Sequence, residues 1–372
     1  MTTSAPGSRA VEGEILAERR DPGRWIRRAV TFPAIHLLAL VALALFPLAL
    51  PLALLVDLVR RRRLALSRCV VFFCGYLLGE VAFLLAGFVQ FLLAPGITKA
   101  SRARLRRWTH ALGNAWGLYL DRFGRACFSV ELEVTGRDAL AAPGPVIVFL
   151  RHASVADNLI APVFIGREAG FDLRYVVKRE IQNDPIFDLI GNRLRSVFVR
   201  RGSGDAEREI AAVTGLLGEL GPRDAIVVWP EGTRFSEEKR ERILASIERR
   251  GDAARTARAR ALEHVLPPNL GGPVALLDAA VARGLGTDVI FCLHAGYEGA
   301  ATFADLLEGR AIGRRVRIHF ERVPFEQLPR GREAIAGWFF DEWAKLDAWV
   351  GRELPGVLDP ARRRAPGPPG TS

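Results

Sequence analysis

An imidazole and a carboxylate five residues apart, His152 and Asp157, follow a short apolar run at 147–150. Such a pair suits proton transfer, the imidazole acting as base and the carboxylate fixing its orientation. On a continuous helix, positions five apart differ by about 140° at 3.6 residues per turn. The two side chains therefore meet only if His152 lies in the turn after the strand and Asp157 in the first turn of the helix. A second reading also fits. Ser154-x-x-Asp157 has capping-box spacing, which would make Asp157 structural. Two further apolar runs end in unusual polar groups. Arg200 and Arg201 follow the run 196–199 and lead into Gly202-Ser203-Gly204. One of them could offer a planar fork to a phosphate, or both could be solvated turn charges. Pro230-Glu231-Gly232-Thr233-Arg234 follows the run 225–229. There the proline ends strand pairing, the glycine admits close backbone approach to a ligand, and Glu231 with Arg234 can form an ion pair or polar clamp.

The elements that must position these residues read as strands at 128–134, 146–150, 173–177, 196–199, 225–229, 288–293 and 315–320. Helical periodicity falls between most of them, notably at 206–220, 273–282 and 332–350, with a further helix opening at Ser154. This alternation predicts an α/β domain with a largely parallel or mixed sheet flanked by helices. Residues that bind or react then gather where strands end and loops begin.

Ahead of this domain stand two apolar runs. The first, 35–59, would be about 37 Å long as a helix, against a hydrocarbon core of about 30 Å. Pro47 and Pro51 inside it predict a kink. The second, 69–94, contains Gly75-x3-Gly79, a spacing that allows close helix contact. Its one charge, Glu80, must face a partner helix or be protonated. Together they predict a membrane hairpin at 29–95, between a basic, disordered N-terminus at 1–28 and a basic amphipathic helix at 96–126. That helix would either lie on the membrane interface or be the first packing helix of the domain at 127–355; a disordered tail follows at 356–372. Five positive charges (Arg60 to Arg63, and Arg68) lie between the runs, and ten flank them. This favours both flanks, and the domain with them, on the cytoplasmic side. A hairpin that dips into one leaflet and returns would instead put all fifteen on one side.

The net charge of +11 comes from 48 arginines against 4 lysines, and the bias looks like codon usage in a GC-rich genome. The remaining basicity fits an anionic membrane surface; neither zinc-finger spacing nor an RNP-type motif supports nucleic acid as a partner. Four cysteines without C-x-x-C make neither a disulfide framework nor a metal cluster, so no metal or other cofactor is expected.

His152-x4-Asp157, Phe198-x-x-Arg201 and Pro230-Glu231-Gly232-Thr233-Arg234, in this order, resemble the motifs of the glycerolipid acyltransferase superfamily that includes lysophosphatidic acid acyltransferases. Lys178-Arg-Glu180 with Pro185 is similar to the segment between that family's first two motifs. The stretch 265–272, with Pro268, sits where its proline-containing fourth motif belongs. The form of that stretch and Trp338-x4-Trp343-x-Lys345 are closest in character to the lysocardiolipin-acyltransferase-like branch and its bacterial relatives. The resemblance covers roughly residues 127 to 350.

It implies an O-acyl transfer from an acyl thioester, acyl-CoA or acyl-ACP as co-substrate, to the hydroxyl of lysophosphatidic acid or another lysophospholipid. It places the enzyme at a bacterial inner membrane, among membrane phospholipids. It assigns His152 as base and Asp157 as its orienting partner. Arg201, Glu231, Gly232, Thr233 and Arg234 would hold the acceptor phosphate, with Lys178, Phe198 and Pro268 in support. A glycerol-3-phosphate or amino-lipid acceptor, or a non-catalytic lipid or acyl-thioester binder of the same fold, stays open. Two departures from the family pattern, Arg151 before the histidine and Val155-Ala156 within the motif, bear on pocket shape and acceptor preference.

Overall fold

The computed structural model describes residues 23–199, 206–298 and 302–358. Its centre is strand β2, whose five residues, Val146–Leu150, are all buried. Complete burial of a short apolar strand means that both faces of the sheet are covered. Ile147 and Phe149 point into one core layer with Phe339, Trp343 and Leu276, whereas Val146, Val148 and Leu150 point into the other with Ile160, Val163 and Phe164.

All seven expected strands form: β1 (Glu131–Thr135), β2, β3 (Asp172–Lys178), β4 (Val197–Val199), β5 (Asp224–Val228), β6 (Asp288–Ala295) and β7 (Arg315–Val323). They make one sheet in the order β1-β7-β6-β2-β5-β3-β4. Every pairing is parallel except β6 with β7. The C-terminal ends of β6, β2, β5, β3 and β4 thus share one edge, and β2 sits inside it. The fold is a mixed α/β sheet flanked by helices, preceded by two apolar helices. One boundary differs from expectation: Phe128 closes a helix, and β1 begins only at Glu131.

The apolar helices are α1 (Arg24–Arg60) and α2 (Ala65–Leu93), each long and apolar enough to cross a membrane. Helix α1 runs unbroken through Pro33, Pro47 and Pro51. Asp57 closes the turn between them, accepting from Leu66 N, Ser67 N and Ser67 Oγ at 3.1, 2.8 and 2.7 Å. Helix α3 (Lys99–Phe128) is the predicted basic amphipathic helix. It is a packing helix, with Leu112, Trp116 and Leu120 buried in a cluster that joins the hairpin to the domain. Gly75 and Gly79 do give close approach, but to α3 rather than α1. A Cβ at Gly75 would stand 2.3 Å from the Phe123 ring, and one at Gly79 2.4 Å from the Tyr119 ring. Glu80 also faces α3, accepting from Trp116 Nε1 at 2.8 Å.

The hairpin touches the α/β domain at both of its ends. At one end Arg27 and Arg28 clamp Asp188, which lies in α4 (Pro185–Arg193). At the other, the Phe73 ring packs edge-on to Phe303 with centroids 4.9 Å apart, and Arg68 donates to Ser129 Oγ at 3.1 Å. The start of α2, just past the turn between the two helices, therefore lies against the α/β domain.

The remaining helices are α5 (Ala206–Gly215), α6 (Glu237–Glu248), α7 (Ala253–Arg260), α8 (Gly271–Ala282), α9 (Phe303–Leu307) and α10 (Arg332–Leu358).

Candidate active site

His152 lies two residues past the end of β2, at the edge where five strands end. The segment after it is a 3-10 turn, Ala156–Leu159, continued by a π-helix, Ala161–Glu168. The tight turn puts Asp157 back under the histidine. His152 Nδ1 donates to Asp157 Oδ1 at 2.9 Å, and Asp157 Oδ2 accepts from the backbone N–H of Ala153 and Ser154, each at 2.7 Å. The Ser154 bond is one arm of the expected capping box. The pairing with His152 and the cap therefore use the same carboxylate.

Burial alone would raise the Asp157 carboxyl, but the His152 hydrogen bond and the nearby imidazoles outweigh it and hold the group below its ordinary value. An ionised Asp157 on Nδ1 fixes the neutral imidazole tautomer with its proton on Nδ1, leaving the Nε2 lone pair free. The His152 side chain retains 16% of its surface exposed, whereas Asp157 has none. The arrangement can take a proton from a bound hydroxyl and return it to a leaving group.

The turn after β5 braces this pair. Gly232 has φ +64°, the left-handed region that favours glycine, and its N–H closes the turn onto Trp229 O at 2.9 Å. Glu231 is buried, and its two carboxyl oxygens receive the N–H groups of His152 and Leu266 at 2.8 and 3.1 Å. Burial pushes the Glu231 carboxyl up to about 8, against the pull of Arg151 and those two donors. This corrects the expectation that Glu231 lines a phosphate pocket or pairs with Arg234: both oxygens accept from backbone N–H groups, behind His152.

The loop that carries Leu266 is held from the other side. Asp347 on α10 accepts from the backbone of Glu263, His264 and Val265 at 2.7–3.2 Å, and Trp343 Nε1 donates to Leu266 O at 3.0 Å. Pro268 is buried in the same loop, and the next residue, Asn269, donates its N–H to Pro230 O at 2.9 Å. The fourth motif therefore lies against the third.

Arg234 and Thr233 stand half-buried in the turn after Glu231. Lys178 ends β3 on the same edge. Phe198 on β4 packs its ring where a Cβ at Gly191 would meet it at 2.4 Å. Arg200, Arg201 and the glycine-serine turn after them lie outside the described residues. The Trp229 ring lies 6.2 Å from that of His152. Trp229 also borders a narrow cavity of about 50 Å³ that follows one face of β3, along Leu173, Tyr175 and Val177, and is closed by Trp116, Phe187 and Phe198.

Arg151, read above as bearing on the pocket, points the other way. It is wholly buried, with Nη1 on His294 O at 2.7 Å and Nη2 on His264 O at 2.8 Å, and it pairs with Glu298. Val155 by contrast is 59% exposed. Sequence reasoning missed Arg151 as an internal brace, and with it Glu298, His294 and Asp347. No local pattern marks them, although an arginine directly after a fully apolar strand was a signal of buried pairing.

Residues 131–267 match the family described as Acyltransferase. A mouse protein named 1-acyl-sn-glycerol-3-phosphate acyltransferase epsilon is 23% identical over 229 residues. The match covers 59% of this chain and 60% of the mouse protein, so the chain spans less than two thirds of that relative's length. Among solved structures, the 1-acyl-sn-glycerophosphate (LPA) acyltransferase PlsC from Thermotoga maritima aligns with TM-score 0.46 and 15% identity, over 77% of this chain and 95% of that one. The match to the Acyltransferase family spans Glu131 to Pro267, the segment that carries the His152–Asp157 pair and the Pro230–Arg234 turn.

Proposed function

We propose that the chain is a membrane-attached O-acyltransferase that moves a fatty acyl group from an acyl thioester to the free hydroxyl of lysophosphatidic acid or another lysophospholipid. The observation that carries this reading is the His152 Nδ1 to Asp157 Oδ1 bond of 2.9 Å at the sheet edge. An alcohol is a weak nucleophile at neutral pH, and a base within hydrogen-bond reach is what it lacks. His152 Nε2 takes the hydroxyl proton as the oxygen attacks the thioester carbonyl carbon. Asp157 steadies the imidazolium so formed. The carbon–sulfur bond breaks, and the departing thiolate recovers the proton from His152. Ester and free thiol result, with no acyl-enzyme and no metal or other cofactor in the step.

The donor is acyl-CoA or acyl carrier protein, and the cavity beside Trp229 receives the first part of the acyl chain. Arg234 and Arg201 meet the acceptor phosphate, with Gly232 and Thr233 shaping the turn around it. Lys178, Phe198 and Pro268 support that edge.

Attachment follows from the outward faces of α1 and α2, where leucines such as Leu48 and Leu58 on α1 and Leu92 and Leu93 on α2 are 60–74% exposed. With the turn and both flanks held on the domain, the hairpin sinks into one leaflet. The turn charges Arg60 to Arg63 then lie on the same side of the membrane as the domain. We place the domain on the cytoplasmic side of a bacterial inner membrane.

The test supplies membranes containing the full chain with a panel of lysolipids and labelled acyl thioesters, beside a His152→Ala control. Thioester-dependent acylation that disappears in the control is expected. Equal acylation by a folded His152→Ala protein, or none on any lysolipid, overturns the reading.

A further inference from the structure

Arg151 and His294 hold one another by a reciprocal pair of bonds. Arg151 Nη1 donates to His294 O at 2.7 Å, and His294 Nε2 donates to Arg151 O at 2.9 Å. Both side chains are wholly buried. The two residues stand just past the last paired positions of adjacent strands, Leu150 on β2 with Cys292 on β6. The side chains thus carry the strand pairing beyond the point where the backbone ladder stops.

The buried guanidinium has further partners that offset part of the cost of burying a cation, although its Nε has none. It donates to His264 O at 2.8 Å and pairs with Glu298. The other oxygen of Glu298 accepts Gly296 N at 2.6 Å. His294 also reaches the reacting pair from behind: its Nε2 lies 3.7 Å from Asp157 Oδ2. Because Nε2 faces a carbonyl oxygen, it carries the proton. Burial holds the imidazole below its usual pKa, so it stays neutral in that tautomer.

We propose that Arg151 and His294 form a latch, with Glu298 as its counter-ion, that positions the reacting pair by fixing the 151–154 turn from its buried side. Neither residue touches substrate. Each sets where the backbone leaves β2, and so whether His152 Nδ1 stays on Asp157. The proposal rests on His152 acting as the base.

The experiment compares wild type, His294→Leu and His294→Gln as full chains in detergent. A glutamine amide nitrogen reaches about where Nε2 stood, whereas leucine keeps bulk without a donor. The expected result for His294→Leu is a kcat lowered at least tenfold, KM for both substrates within twofold of wild type, and loss of the low-field Nδ1 proton resonance of His152. His294→Gln restores most of both. A folded His294→Leu protein with wild-type kcat and an intact resonance overturns the latch. So does a KM change without a kcat change, which would put His294 in the binding pocket. Should His294→Leu fail to fold, Glu298→Gln alters the more accessible end of the latch, the Glu298 side chain being 16% exposed. It is expected to lower kcat at least threefold, and an unchanged kcat there also overturns the proposal. His152→Ala runs in parallel. Activity that survives this change removes the base assignment, whereas an activity that needs His152 but ignores His294 removes only the latch.

Discussion

Asp157 serves two structures at once, orienting His152 through Oδ1 and closing the turn through Oδ2. Asp157→Asn should therefore cost on both counts. An amide nitrogen on either side meets an N–H, so one donor loses its acceptor, at about 1–3 kcal/mol. Initial-rate assays of the variant should show kcat lowered by about 10² or more, since the base loses its fixed tautomer. Glu231 makes a separate prediction in pH. Its carboxyl is raised from 4.5 to about 8 in the folded chain, so the native state keeps a proton that the unfolded chain releases. Stability contributed through this group is present below about 4.5 and is lost as pH rises towards about 8. Asp157 acts in the opposite sense: its contribution is present above the ordinary carboxylate range and is lost as acid reaches its depressed pKa. Thermal unfolding of Glu231→Gln should thus be less pH-sensitive than wild type between these limits, and equal slopes would remove the assignment.

Helix α3 mediates between hairpin and domain, and the fit depends on glycines. With Cβ positions 2.3 and 2.4 Å from the Phe123 and Tyr119 rings, leucine at Gly75 or Gly79 must push α2 off α3. Overpacking of this kind costs about 1–3 kcal/mol, and unfolding in detergent should fall accordingly; an unchanged melting temperature would mean that the helices separate readily. At the opposite edge of the domain, α10 holds the fourth motif through Trp343 and Asp347. Trp343→Phe removes one donor to Leu266 O and should cost about 1 kcal/mol. Since Leu266 N binds Glu231, which binds His152 N, calorimetric loss of stability should be accompanied by a lower kcat.

For the whole molecule, the contacts at both ends of the hairpin bear on the proposed topology more directly than charge counting does. Arg62 in the turn and Arg283 beyond α8 are both exposed. In a chain freed of its native cysteines, single cysteines at these two positions should react with a membrane-impermeant reagent from the same side of sealed vesicles. Reaction from opposite sides would mean that the hairpin crosses the bilayer and leaves the domain surface.

The sequence alone determined that seven strands form, since each is a short run of apolar residues or of apolar residues alternating with polar ones, although the first begins later than its pattern suggests. It also singled out His152 and Asp157, whose meeting required the tight turn that the fold supplies. Local patterning said less about the arginine-rich stretch at 237–260, where α6 and α7 have too few apolar positions to mark a face. Nor did it reveal the short α4, whose nine residues span only two and a half turns. Only the tertiary structure decided which residues stand behind the site. Arg151 and His294 are 143 positions apart, and Glu231 and Leu266 are 35 apart. Their meeting depends on β5 and β6 flanking β2, an order that adjacency in sequence does not encode. A buried charge is recognised by its partners, and those partners come from neighbouring strands rather than from neighbouring residues.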